Sequence, residues 1–125
     1  MTVSENKTLI SRYLDAINGK EKPAAVVDQF ISEADALLKQ HIAGYEAAFP
    51  RYALDVEDMI AEADKVVVRF TFRAAYGGGF MNIPATGQQV AMPGIIIYRI
   101  ADGKIVDHWM QVDSAALMQQ LGAQS

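Results

Sequence analysis

The chain contains no cysteine, and only two of its 125 residues are histidine. The absence of cysteine excludes disulfides, thiolate nucleophiles and cysteine-ligated zinc sites. A reducing cytoplasm is the simplest location for a cysteine-free chain, and this is our expectation. Catalytic zinc normally takes three protein ligands, which two histidines alone do not supply, so the sequence predicts no metal site.

Positive charge and long apolar runs are also scarce. Lys and Arg together number 11 against 15 Asp and Glu, which gives a formal net charge of −4 and a pI near 5.0. A nucleic-acid partner normally requires a basic surface. No apolar run reaches the ~18 residues of a membrane-spanning helix, and the N-terminus lacks the basic segment and apolar block of a secretory signal. We therefore expect neither nucleic acid nor a membrane as a partner.

The remaining composition is that of an ordinary globular protein, with 51% hydrophobic and 21% charged residues. A chain of this length can bury a substantial core. Neither an internal repeat nor a low-complexity linker divides the sequence. We therefore predict a single domain over residues 1–125.

The most informative stretch is residues 94–113, in which two β-rich runs flank Asp102-Gly103. An Asp-Gly pair between apolar segments is a strong hairpin signal, because glycine accepts the positive φ that the turn needs. We predict strands over residues 90–100 and 104–112. Ile100 is expected to pair with Lys104 across a three-residue turn.

The alternation of side chains along a strand divides this hairpin into two faces. In the predicted register His108 lies opposite Ile96, and its face also holds Gly94, Tyr98, Val106 and Met110. The other face holds Ile95, Ile97, Arg99, Ile105, Asp107, Trp109 and Gln111. Neither face is plainly polar, so we expect both faces of this sheet to be covered.

Helical periodicity precedes the hairpin. It predicts one helix over about residues 5–18, a shorter one over 24–31, and a third that Ser32 caps and Pro50 ends. Alternating patterns then predict strands from Tyr52 onward and over residues 65–73, and the chain closes with a short helix over 114–121. Helices followed by antiparallel strands indicate an α+β fold, with the helices on one side of a curved sheet.

Three side chains are candidates for chemistry. His108 stands among apolar neighbours on a sheet face, where a neutral imidazole can serve as a general base or orient a ligand oxygen. His41 lies on the apolar stripe of the third helix and Tyr13 on that of the first, where its hydroxyl could donate to a carbonyl oxygen. Each has a structural alternative: a strand histidine satisfied by one partner, a helix histidine at a surface boundary, or a tyrosine that only packs.

Taken together, the segments AAFP, IPATG and YRIADGKIVDHW with the following Asp113 resemble the SnoaL-like polyketide cyclases, or ester cyclases. The likeness extends over nearly the whole chain. It implies the cone-shaped fold shared with nuclear transport factor 2 and ketosteroid isomerase, with a curved antiparallel sheet wrapped around three N-terminal helices. It also implies a deep apolar pocket and a homodimer formed through the sheet.

The resemblance also implies a chemistry. Characterised members use an Asp, assisted by a His, as acid and base in an aldol ring closure without metal or cofactor. An acidic residue often follows the HW pair, and a polar residue often occupies the position of Ile96, whereas this chain has Met110 and Ile96 there. We therefore predict three catalytic candidates: His108, His41 and Tyr13. The predicted residues of the substrate pocket are Ile96, Tyr98, Met110, Tyr45 and Phe80.

Two functions remain open at this point. One is a cofactor-free cyclase, isomerase or hydrolase that acts on an apolar, carbonyl-bearing small molecule. The other is a non-catalytic protein that binds an apolar ligand, which the apolar residues at Ile96 and Met110 favour. A fold alone does not decide between these functions.

Overall fold

The structure is a computed structural model that describes residues 2–80 and 82–122. Its helices are α1 (Val3–Ile17), α2 (Ala24–Phe30), α3 (Ala36–Ala48) and α4 (Ser114–Gln120), with a 3-10 turn at Glu33–Asp35. The strands are β1 (Ala53–Glu62), β2 (Lys65–Ala75), β3 (Gln89–Ala101) and β4 (Lys104–Val112). This order confirms the predicted α+β class. Met81, between β2 and β3, lies outside the described residues.

The four strands form one curved antiparallel sheet in the order β1-β2-β3-β4. Burial alternates along β2 and β3, so the inner face packs against the helices while the outer face is largely accessible. Ile10, Tyr13 and Ile17 of α1 are fully buried in a core that they share with the inner face. No described helix combines the length and apolar character needed to cross a membrane.

Capping explains where the first and third helices begin. Thr2 and Glu5 form a reciprocal capping box, so α1 starts at Val3 rather than near residue 5. Ser32 caps the 3-10 turn instead of the third helix, because its hydroxyl accepts the backbone N–H of Ala34. The cap of α3 is Asp35, which accepts the backbone N–H of Leu38.

The β3–β4 hairpin is present, but the predicted turn and register are wrong. The turn has two residues, Asp102 with φ 53° and Gly103 with φ 74°, so both central positions lie in the left-handed region that a tight hairpin turn requires. Ala101 therefore pairs with Lys104, and a bulge follows, since Ile100 pairs with Ile105 while Arg99 pairs with Asp107.

The bulge changes the neighbours of His108. Its cross-strand partner is Tyr98, and Met110 faces Ile96. The bulge also turns Ile105 into the core, where it is fully buried, although the sequence placed it on the outer face. Trp109 does lie on the outer face as predicted, with 48% of its surface exposed.

Lys22 ties three segments of the chain together. Its side chain is fully buried, and its ammonium group donates to the carboxylate of Glu46 at 2.8 Å and to the carbonyl oxygens of Lys20 and Tyr52 at 2.8 and 3.0 Å. It also lies 4.0 Å from the ring centroid of Tyr52. All three donors are satisfied, so the α1–α2 connection is fixed to α3 and to the start of β1.

We expect Lys22→Ala to lower the free energy of unfolding by about 2–4 kcal/mol, because it leaves the Glu46 carboxylate and two carbonyl groups without their donor. Urea denaturation measures this change. The matched control is Lys20→Ala, which removes an ammonium group that donates to the exposed carbonyl of Asp15 and should change stability by less than about 0.5 kcal/mol. Equal effects of the two substitutions would show that the Lys22 contacts add nothing specific.

Candidate functional site

A carboxylate and an imidazole meet between the 3-10 turn and β4. Nδ1 of His108 lies 2.8 Å from Oδ2 and 3.0 Å from Oδ1 of Asp35. Each of these side chains is only 4% exposed. A carboxylate of this kind has a large desolvation cost unless hydrogen bonds compensate it, so the contact matters to both groups.

The backbone that leads into the 3-10 turn explains this meeting. Ile31 forms a parallel bridge with Ile105, and the backbone N–H of Ser32 donates to the carbonyl oxygen of Ile105 at 2.8 Å. These contacts attach the segment after α2 to β4 near the bulge. Asp35 then follows at the end of the turn, opposite His108.

The Asp35 contact assigns the protons of His108. An ionised carboxylate only accepts hydrogen bonds, so Nδ1 of His108 carries the proton that Asp35 accepts. In the neutral ring the lone pair is then on Nε2, which makes no hydrogen bond with the residues that the structure describes. The first turn of α3 holds the Asp35 carboxylate in place, because Oδ1 of Asp35 also accepts the backbone N–H of Leu38 at 3.2 Å.

His41 is the neighbour of this pair. Its ring centroid lies 5.9 Å from that of His108, with the ring planes inclined by 72°. Nδ1 of His41 is buried and has no hydrogen-bond partner within residues 2–80 and 82–122. A buried nitrogen without a partner is uncommon in folded proteins, so the His41 ring has hydrogen-bonding capacity that the described residues do not use.

An apolar cavity lies between α3 and the inner face of the sheet. Its volume is about 40 Å³, or about 430 Å³ when all the space between its lining atoms and its open mouth is counted. It is lined by Leu38, His41, Ile42, Tyr45, Tyr52, Leu54, Phe70, Phe72, Met92, Ile96, Tyr98, Met110 and Val112. Small-molecule sites commonly measure ~300–1,000 Å³, so a ligand of that size must displace lining side chains or occupy the mouth.

Several sequence-predicted site residues meet at this cavity. Ile96, Tyr98, Met110, Tyr45 and His41 line it. The other three candidates lie around it. His108 stands behind the wall beside His41, Tyr13 packs edge-on against Tyr98 at 5.9 Å, and Phe80 packs its ring 6.3 Å from that of Tyr45.

Burial keeps the core tyrosines protonated. Desolvation raises the pKa of Tyr13 well above its ordinary value, and the charges of Tyr98, Tyr52 and Asp35 act in the same direction. Desolvation likewise raises the pKa of Tyr98, with a smaller contribution from Tyr52. The hydroxyl of Tyr98, a residue that lines the cavity, therefore stays protonated at neutral and moderately alkaline pH.

The raised tyrosine pKa values predict a loss of stability at alkaline pH. The unfolded chain releases these protons near pH 10, whereas the folded chain retains them, so their stabilising contribution is complete below about pH 10 and falls as the pH rises further. We expect the urea midpoint to fall between about pH 9 and about pH 11. It should fall less steeply in Tyr98→Phe and in Tyr13→Phe. An unchanged slope in both variants would contradict this assignment.

One group of side chains has the donor types that a metal ion needs. The ligand atoms of Asp35, Asp107 and His108 lie within 4.8 Å of one another. These atoms already make hydrogen bonds: Asp35 holds His108 and Leu38, and Oδ1 of Asp107 accepts the backbone N–H of His108 at 2.8 Å. A metal would have to displace these bonds, so the group fits a hydrogen-bonded pair better than a metal centre.

Asp35 is the site residue that the sequence analysis missed. The segment Ser32-Glu33-Ala34-Asp35 contains two residues that can cap a helix, and only Ser32 was interpreted as a cap. Two caps three residues apart could have indicated a short turn before α3, with a carboxylate at its end. The sequence carries no signal for the strand that this carboxylate meets, because that depends on the Ile31–Ile105 bridge.

Comparison with known proteins gives one family and a set of similar structures. The profile of the family described as SnoaL-like polyketide cyclase matches residues 16–121. AclR from Streptomyces galilaeus, a proposed hydroxylase, is 28% identical with a TM-score of 0.86, over 98% of this chain and 84% of AclR. TsrD from Streptomyces laurentii is 25% identical with a TM-score of 0.83, over 99% of both chains.

A third structure supports the fold alone. This proposed polyketide cyclase from Acidithiobacillus ferrooxidans is 22% identical with a TM-score of 0.81, over 100% of both chains. A search of curated proteins finds no significant match.

Proposed function

Because the chain belongs to the SnoaL-like polyketide cyclase family, we propose that it is a small cofactor-free enzyme that transfers protons on an apolar, carbonyl-bearing molecule, as a cyclase, isomerase or hydrolase. The observation that supports this most directly is the 2.8 Å contact of Asp35 with Nδ1 of His108, next to the cavity. A carboxylate that orients an imidazole is a recurring arrangement in acid–base catalysis.

His41 is the group that meets the ligand in this proposal. It lines the cavity, whereas His108 lies behind it, and its buried Nδ1 has no partner among the described residues. A ligand with an acidic C–H next to a carbonyl group would give up that proton to His41. In this proposal the enolate oxygen that forms would accept a hydrogen bond from the hydroxyl of Tyr98, a residue that lines the same cavity.

The Asp35–His108 pair supports His41 electrostatically. When His41 takes up a proton, the His108 ring lies between its positive charge and the buried Asp35 carboxylate. The attraction between these two charges is strong where water is excluded. The carboxylate that the family resemblance implies at position 110 would then be supplied by Asp35 of the 3-10 turn, which contacts His108. Met110 and Ile96 contribute apolar wall instead of chemistry.

Hydrogen–deuterium exchange at the α-carbon of an apolar ketone tests the proposal without knowledge of the natural substrate. With 2-tetralone in deuterated buffer, we expect the protein to accelerate exchange over buffer alone, as followed by NMR. His41→Gln and Asp35→Asn should each lose roughly 100-fold or more of this acceleration, the usual contribution of a positioned acid–base group.

Glu33→Gln is the matched control for Asp35→Asn, because Glu33 belongs to the same 3-10 turn but is exposed. It should leave the exchange rate unchanged. The imidazole ¹⁵N shifts of His108 provide a second readout, which should show the proton on Nδ1 in the native protein and a changed tautomer ratio in Asp35→Asn. A native protein with the proton mainly on Nε2 would contradict the proposed role of the pair.

The alternative function is a non-catalytic pocket for an apolar ligand. It is favoured by the lining of the cavity, where most residues are aliphatic or aromatic and Ile96 and Met110 replace the polar residues that the resemblance led us to expect. Binding of 2-tetralone without accelerated exchange would support this alternative. Exchange that depends on His41 would exclude it.

We further propose that the protein is a homodimer whose interface is the outer face of the sheet. Ile60, Val67, Ile97 and Trp109 lie in one row across all four strands in the observed register. Ile60 is 59% exposed and Trp109 is 48% exposed. The adjacent row, Glu62, Lys65, Arg99 and Asp107, carries charges of both signs, which suits a self-complementary contact around a two-fold axis.

Trp109→Asp should convert the dimer to a monomer at micromolar concentration, because it replaces the largest side chain of the apolar row with a charge at the β4 end of that row. Sedimentation measures this change. The control is Leu37→Asp, since Leu37 is an equally exposed apolar residue (55%) on α3, away from the sheet. A native protein that sediments as a monomer, or a Trp109→Asp variant that remains dimeric, would refute the proposed interface.

A further inference from the structure

Gly94 interrupts the inner face of the sheet. Its register partners are Phe70 on β2 and Val112 on β4, and both of these residues line the cavity. The flanking positions on the same face of β3 are the large residues Met92 and Ile96. A single residue without a side chain therefore lies on the inner face among four residues that line the cavity.

The space that a side chain would occupy at this position is already filled by its neighbours. A Cβ atom added to Gly94 would lie 2.6 Å from Cζ of Phe70, 3.0 Å from its Cε1 and 2.8 Å from Cγ1 of Val112. Side-chain carbon atoms do not approach this closely, so the Phe70 ring would have to move. The ring now leans over β3 because glycine leaves this space open.

From these contacts we infer that Gly94 determines how deep the cavity is, and therefore which ligands fit it. With glycine at this position, the Phe70 ring occupies the space that a side chain there would take, and Phe70 lines the cavity. Any larger residue would drive the ring upward into a cavity of only about 40 Å³ and close it. Gly94 is thus a specificity-determining position that acts through Phe70 and makes no chemical contribution of its own.

The cavity lining contributed by β2 is aromatic. Phe70 and Phe72 of β2 both line the cavity, and the Tyr52 ring stacks on Phe72 with 5.1 Å between centroids. Offset contact with such rings favours flat, unsaturated ring systems over bulky saturated ones. This ligand class rests on the proposed function in one respect: both assume that the cavity is where the ligand binds.

Xenon is a suitable probe because it occupies small apolar cavities and cannot react. Met92 and Met110 line this cavity, and the NMR shifts of their methyl groups can report bound xenon. In the native protein both methyl resonances should shift under xenon pressure. In Gly94→Ala we expect roughly tenfold weaker xenon binding, since the displaced Phe70 ring takes the space.

Two further variants distinguish cavity closure from general destabilisation. Phe70→Leu alone should bind xenon more tightly than the native protein, because it removes part of the cavity lining. Gly94→Ala combined with Phe70→Leu should recover binding that Gly94→Ala loses, because the shorter side chain leaves room for the added methyl group. The matched control is Gly44→Ala on α3, where an added Cβ meets nothing within 4 Å, and it should leave the xenon shifts unchanged.

Several outcomes would overturn the inference. These are native-like xenon shifts in Gly94→Ala, no change in Phe70→Leu, no recovery in the double variant, or no xenon response in the native protein. If Gly94→Ala does not fold, Phe70→Leu and the double variant still decide the question. Because xenon binding requires no proton transfer, a negative ketone-exchange experiment would reject the proposed enzyme while leaving the role of Gly94 intact.

Discussion

The two-residue turn at Asp102-Gly103 and the bulge that follows it determine how the rest of the site is assembled. Together they set the register of β4, which places His108 beside Tyr98 and Met110 beside Ile96. They also turn Ile105 into the core, where its carbonyl oxygen holds the backbone of Ser32. Asp35 reaches His108 only because this segment is attached there.

A buried carboxylate needs compensation, and the structure supplies it locally. Asp35 is 4% exposed, and its oxygens accept one N–H from His108 and one from the first turn of α3. The helix N-terminus adds a favourable dipole at the same point. Each partner thus reduces the desolvation cost of the other, and the price of removing either is an uncompensated buried polar group. The pair is therefore a structural element of the fold, independently of the chemical role proposed for it.

The sequence carries most of the fold and only part of the site. Period-two and helical patterns identify the strands and helices to within a few residues, because an element that is buried on one face has apolar residues at regular intervals along the sequence. The pairing partners of His108 could not be read in the same way, since a bulge shifts the register without changing the apolar pattern. Asp35 was missed for a related reason. An acidic residue before a helix is typical of an ordinary cap, and only the tertiary bridge between Ile31 and Ile105 brings it to an imidazole.

The same sheet serves two purposes through alternation of its side chains. On β4, His108 and Met110 point toward the helices, while Trp109 and Gln111 point to the outer face. In the proposed dimer, contacts at Trp109 would fix the strand from outside and so restrict the motion of the side chains beside it on the inner face. A cavity of about 40 Å³ tolerates little movement of the side chains that line it, since a small displacement of one of them changes much of the cavity volume. Gly94 is the point where this tolerance is smallest, because the neighbouring ring already occupies the space that a side chain at this position would need.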